Sequence, residues 1–149
     1  MSWIPHITVA SIVENNGKFL FVEEKVKDKK VLNQPAGHLE ENESLPNACI
    51  RETLEETGCI VKTEFIVGVY QEKILNERDV YVRFCFKCKY ISHNPDVKTD
   101  KKIIRSLWLT EEEIYSLSDD TFRSRMVLNS FNDYVKGNTY PSNIITYIE

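Results

Sequence analysis

Glu52, Glu55 and Glu56 are the residues of this chain whose type and spacing point most directly to chemistry. On an α-helix, Glu55 and Glu56 follow Glu52 at i+3 and i+4, which puts all three carboxylates on one face. Like charges so spaced each cost roughly 0.2–0.5 kcal/mol in a bare helix. Gly58 follows where a left-handed C-terminal cap belongs, so the acids also face the negative end of the helix macrodipole. A merely solvated helix seldom stacks acids at that end. A bound divalent cation reverses the sign of both costs, and hard oxygen ligands suit Mg²⁺ or Mn²⁺.

The neighbouring residues supply the elements that must hold these acids. Ser44 is a plausible N-cap and Pro46 is tolerated in a first helical turn. Ile50, Leu54 and Thr57 share the face opposite the acids and can bury it. Arg51 and Glu43 can pair, fixing the preceding loop against the helix. Gly37 stands where a tight turn would expose a backbone carbonyl as a further ligand.

Gly37, Glu43, Arg51, Glu52, Glu55, Glu56 and Gly58, closed by the small apolar Cys59, have the order and spacing of the Nudix box. On residues 37–59 the chain therefore resembles the Nudix hydrolase superfamily. Thr53 departs from the pattern, standing where an aliphatic residue is usual, and is read as a packing variation. Ala36 replaces the second residue of a common Pro-Gly-Gly, and Leu32 stands where many relatives carry a Trp. Outside the box, PHITVASIVENNGKFLFVEE, LNQPAGHLEENESL, YVRFCF, WLTEEEI and TYPSNII look like the bacterial NudJ-type phosphatase branch. The resemblance implies a mixed sheet between helices, with the box as loop-helix-loop. It implies Mg²⁺-dependent hydrolysis of phosphoanhydrides, with Glu52, Glu55 and Glu56 holding the metal and one of them free to act as general base. Members of the branch act on hydroxymethylpyrimidine diphosphate, nucleoside di- and triphosphates and thiamine diphosphate.

Composition bounds the alternatives. The 149 residues suit one domain, residues 1–149, with one core. A hydrophobic content of 42% and a charged content of 28% are ordinary for a globular chain, and a net charge of −4 argues against coating nucleic acid. A small phosphorylated ligand needs only a local cluster of Arg and Lys. No apolar run approaches the ~20 residues of a membrane span, and no signal peptide is read in MSWIPHITVA. Cys85 and Cys88 form a C-x-x-C inside an alternating run, where they point to opposite faces of a strand; with Cys49 and Cys59 they read as reduced thiols of a cytoplasmic protein.

Residues 6–13 read as a strand and residues 19–22 as its hairpin partner, joined by an Asn-Gly turn at Asn16-Gly17. Residues 23–30 are charged and expected to be solvated. His6 reads as a strand-edge histidine rather than a catalyst, and His38 either meets a phosphate or is solvated. Residues 60–70 read as a strand with a bulge at Gly68. Residues 80–90 alternate, with Val82, Phe84, Phe86 and Cys88 on one face. Tyr81 and Arg83 share the other, able to meet a ring and a phosphate, or else solvated. Tyr81 and Trp108 are the aromatic candidates for a base platform. A strand over 103–109 leads into a capping box at Thr110 and Glu113, a last helix is expected over 121–135, and the tail is expected to dock through Ile144, Ile145 and Ile148.

These readings combine into an α/β chain of mixed strands and helices, a three-layer α/β/α sandwich. Its expected work is Mg²⁺-dependent cleavage of small diphosphates by a monomer or homodimer without nucleic-acid or membrane partners. Pyrophosphatases of other substrate classes, such as nucleoside triphosphates or ADP-ribose-type ligands, are the alternative. A ligand sensor or an interaction domain on the same fold is the non-enzymatic one, and the intact set of acids argues against it.

Overall fold

The computed structural model describes residues 2–149; Met1, at the head of the expected N-terminal stretch, lies outside them. One mixed sheet runs through the molecule. Strands β1 (His6–Asn15), β2 (Lys18–Val26), β3 (Lys29–Asn33), β5 (Cys59–Lys73) and β6 (Val80–His93) lie in the order β3-β2-β1-β6-β5. The short β4 (Ala36–His38) pairs with β1, and β7 (Ile103–Thr110) pairs with β2. The β1–β6 pair is parallel and the other pairs are antiparallel.

Alternation along the strands feeds two cores. Val9, Val13, Phe86 and Cys88 pack beneath helix α1 (Leu45–Thr57). Ala10, Ile12, Phe21 and Cys85 face the opposite layer, built from α2 (Glu111–Ser116) and α3 (Arg125–Val135). Each layer covers one face of the sheet, which is why β1 is apolar on both sides. The expected helix–sheet–helix arrangement is therefore the one observed.

Two segments differ from the sequence expectation. The charged residues 23–30 are mostly exposed, as expected, with Glu24 buried, but they form strand: β2 continues to Val26, and Lys27 and Asp28 adopt left-handed backbone (φ 49 and 65) to return the chain as β3. That pair of positive φ values makes a hairpin turn of the primed kind without a glycine. The other is the helix expected over 121–135, which starts only at Arg125, capped by Ser124. Phe122 is pulled into the core and bridges Leu32, and the Arg123 N–H donates to the Leu32 carbonyl at 2.8 Å, so tertiary pairing keeps this stretch extended.

Several local signals hold. Ser44 accepts from the Asn47 N–H, Gly58 caps α1 with φ 78, and both bonds of the Thr110–Glu113 capping box are made. Register shifts in the β5–β6 pair include one between Ile66 and Gly68. The tail docks by pairing Tyr140 with Ile66 and by packing Ile145 on the α1-side core, whereas Ile144 and Ile148 remain exposed. All four cysteines are free and buried, with Cys85 and Cys88 in opposite cores and the Cys49 and Cys88 sulfurs 3.8 Å apart.

Candidate active site

The acids lie where α1 crosses β4. Gly37 is not in a tight turn: it pairs with Val9 across the β1–β4 ladder, and its φ is not positive. Its missing side chain matters for a different reason, since a Cβ there would overlap the Glu52 carboxyl group. The buried face of α1 also differs from the expected one. Ala48, Cys49, Thr53 and Thr57 are buried together with Glu52 and Glu56, while Ile50 and Leu54 are only half-buried. Thr53 is more than a packing variation: its hydroxyl donates to the Cys49 carbonyl and shares a 2.8 Å hydrogen bond with Ser11 on β1. Both hydroxyls are thereby satisfied in a dry contact.

Arg51 organises the outer side of this cluster. Its Nε and Nη2 donate to the two oxygens of Glu43 at 2.8 and 2.7 Å, a bidentate pair. The same guanidinium reaches Glu52 at 2.7 Å, Glu55 at 3.1 Å and the His38 carbonyl at 3.0 Å. The Arg51 bond holds the Glu43 carboxyl below its usual range. Burial raises the Glu52 pKa, with the Arg51 bond opposing it.

Glu56 occupies the inner side and is 1% exposed. Its Oε1 accepts the Ala36 N–H at 2.9 Å; its Oε2 is buried without a hydrogen-bond partner, and Lys102 Nζ stands 3.5 Å away. Burial pushes the Glu56 carboxyl up to about 7, against the lowering effects of the Ala36 bond and Lys102. Among the described residues, no three acidic, His or Cys side chains already converge on one point; Arg51 bridges Glu52 and Glu55, and Lys102 pairs with Glu56. The donor set nevertheless fits a hard cation. Buried carboxylate oxygens lie beside a backbone with no side chain, and one of them has no partner of its own.

A cleft of about 290 Å³ opens next to the acids. Its walls include Thr8, Glu24, Asn33, Gly37, His38, Tyr81, Arg83, Lys102 and Arg123. Tyr81 and Arg83 both reach it, and neither lies on a solvated strand face. Arg83 is only 3% exposed, donates to Asn33 Oδ1 at 2.8 Å, and has no carboxylate oxygen within 4.0 Å among the described residues. Burial lowers its pKa. Tyr81 stacks on His6, with ring centroids 4.5 Å apart and planes at 11°, and His6 Nδ1 lies 3.0 Å from His38 Nε2. His6 is thus part of the cleft wall structure that its strand position did not reveal. Burial, with His6 and Lys102 nearby, holds His38 below the ordinary histidine pKa, so it offers a neutral hydrogen-bonding ring.

Trp108 is on the other side of the sheet, edge-on to Tyr90 beneath α1, and does not reach the cleft. Leu32 is core, packed with Phe122. Glu24, Lys102 and Arg123 line the cleft although the sequence did not mark them: Glu24 lies in the charged stretch that becomes the β2–β3 hairpin, Lys102 in the polar segment before β7, and Arg123 at the start of the expected last helix.

A family model for the NUDIX domain matches residues 4–131. The chain belongs to the Nudix hydrolase family. As a Nudix hydrolase it is 38% identical over 141 residues to Phosphatase NudJ of Escherichia coli (strain K12), covering 95% of this chain and 90% of that protein. Phosphatase NudJ of Shigella flexneri is equally similar, with 38% identity over 95% of this chain and 90% of the relative. A solved structure of a NUDIX hydrolase from Nitrosomonas europaea superposes with a TM-score of 0.92 at 38% identity, covering 97% of this chain and 98% of the other. Among the described residues, no helix is long and apolar enough to cross a membrane.

Proposed function

We propose that this Nudix hydrolase cleaves phosphoanhydride bonds of small diphosphates in a divalent-cation-dependent reaction. Hydroxymethylpyrimidine diphosphate and nucleoside di- and triphosphates are the favoured substrates, and thiamine diphosphate is a further candidate. The observation that carries the reading is the junction of two opposite charge patterns. Buried acids with an unpartnered oxygen meet a cleft walled by Arg83, Lys102 and Arg123 in a chain of net charge −4.

Glu52, Glu55, Glu56 and the Gly37 carbonyl are the groups proposed to hold Mg²⁺, with Mn²⁺ an alternative. When bound, such an ion neutralises phosphate charge and lowers the pKa of coordinated water. The remaining work belongs to the side chains. Arg83, buried and without a carboxylate partner, presents its free N–H groups to phosphate oxygens. His38 donates or accepts at the cleft entrance, and Tyr81, held flat by His6, offers a ring face to the organic part of the substrate. Glu43 and Arg51 keep the loop and helix in register. Any one of the three box carboxylates not engaged by metal can accept the proton of attacking water.

A cleft of about 290 Å³ lies at the lower end of the ~300–1,000 Å³ usual for ligand sites, and it has one aromatic face in Tyr81 where a dinucleotide needs two. Competitive assays at fixed Mg²⁺, with both products identified, test the substrate class. Hydroxymethylpyrimidine diphosphate and nucleoside diphosphates should show higher kcat/KM than diadenosine polyphosphates or NADH. A preference of about tenfold or more for a dinucleotide, some 1.4 kcal/mol in transition-state binding, refutes it.

A further inference from the structure

Lys102 stands between the acids and the cleft. Its Nζ lies 3.5 Å from Glu56 Oε2, the buried oxygen without a hydrogen-bond partner, and its side chain lines the cleft beside Arg83 and Arg123. The placement is built by the backbone. The Asn94 N–H donates to the Gly58 carbonyl at 2.9 Å, and the Asp100 N–H to the Glu55 carbonyl at 3.1 Å, so this loop covers the carbonyl end of α1. Asp100 then accepts from the Lys102 N–H at 3.3 Å and, through its carbonyl, from the Ile103 N–H at 3.0 Å, turning the chain into β7.

A separation of 3.5 Å gives an ion pair with the ammonium donors still available. The lysine side chain is half exposed on a flexible stem, whereas Glu56 is fixed. A divalent cation on Glu56 and an ammonium on the same carboxylate repel one another, so loading the acids favours moving Lys102 away. A phosphate in the adjoining cleft offers it a second anionic partner.

We infer that Lys102 is an exchangeable counter-ion and substrate contact: it neutralises Glu56 while no divalent ion is present and passes to a substrate phosphate once an ion takes Glu56. This rests on reading the site as a metal-dependent phosphoanhydride hydrolase. Two consequences have opposite signs. Removing the ammonium strengthens metal binding and weakens substrate binding. A purely structural role, in which losing Lys102 loosens the loop over α1, weakens both.

The test is Lys102→Met, which keeps the apolar stem, beside Lys102→Arg, which keeps the charge. Mn²⁺ alone, titrated into the substrate-free protein by electron paramagnetic resonance, should bind Lys102→Met roughly three- to tenfold more tightly than wild type. The KM for a nucleoside diphosphate at saturating Mg²⁺ should rise about tenfold, with kcat changing less. Lys102→Arg should stay near wild type in both measurements. Unchanged or weaker Mn²⁺ binding by Lys102→Met overturns the inference, and so does an unchanged KM. If wild type binds Mn²⁺ and cleaves diphosphates, such a result defeats the role of Lys102 alone; if wild type does neither, the functional reading falls with it.

Discussion

The carboxyl group of Glu52 fills the space that a side chain on Gly37 would need. The glycine sits in a regular ladder with β1, so alanine there is acceptable to the backbone, and the nearest atoms its Cβ meets are those of the Glu52 carboxyl group. Gly37→Ala should therefore leave the secondary structure intact while displacing the carboxylate by an ångström or so. Misplacement on that scale costs about 100-fold in rate. Circular dichroism together with kcat/KM checks this, and wild-type activity would remove Gly37 from the site.

Glu52→Gln and Glu56→Gln should each lower turnover at least ~100-fold, because a lost metal ligand removes several kcal/mol of transition-state stabilisation. Folding should survive, since neither side chain is needed to satisfy a buried cation on its own. Steady-state rates with thermal melts decide it. Near-normal rates in both variants would remove the acids from the reaction.

The metal-free protein should lose stability as pH rises. The Glu56 carboxyl is raised to about 7 from its ordinary 4.5, so the folded state binds that proton more tightly than the unfolded chain does. The associated stability is fully present below pH 4.5 and is lost as pH climbs through 7, by about 3 kcal/mol in all. In EDTA, the Tm at pH 8 should thus fall below that at pH 5 by about 6–12 °C from this group. Glu56→Gln should flatten the trend, and millimolar Mg²⁺ should recover the Tm at pH 8. A pH-independent wild-type Tm in EDTA would count against burial outweighing the Lys102 and Ala36 contacts at Glu56.

Arg51 bonds to Glu43, Glu52, Glu55 and the His38 carbonyl and does not line the cleft. Arg51→Ala leaves Glu43 and Glu52 without their cation, so melting temperature and activity should fall together. The expected stability loss is about 3 kcal/mol, in line with breaking a partly buried charge pair from one side. A variant that melts like wild type but has lost activity would make Arg51 a substrate ligand instead.

Arg83 should behave in the opposite way. A buried guanidinium with no carboxylate within salt-bridge range costs desolvation energy that the fold itself does not recover. Arg83→Met, similar in bulk, should match or exceed the wild-type Tm, with KM for diphosphates raised about 10- to 100-fold. Unchanged KM would take Arg83 out of substrate binding.

The local devices are legible in the linear chain: the helix that carries Glu52, Glu55 and Glu56, its Ser44 and Gly58 caps, the Arg51–Glu43 pair, and the alternation that aims Tyr81 and Arg83 to one side of β6. These follow from contacts within a few residues or from fixed helix and strand periods, which a linear pattern encodes directly. The rest depends on contacts between distant parts of the chain. Lys102 meets Glu56 across 46 positions because the loop before β7 caps α1, a contact with no periodic signature. Glu24 and Arg123 reach the cleft because a primed turn forms at Lys27-Asp28 and Phe122 is drawn into the core, where burial overrides helix propensity. Trp108 leaves the candidate list because strand parity at β7 points it under α1. Gly37 matters because another element's side chain fills its missing volume, and no local rule registers a vacancy that only packing creates.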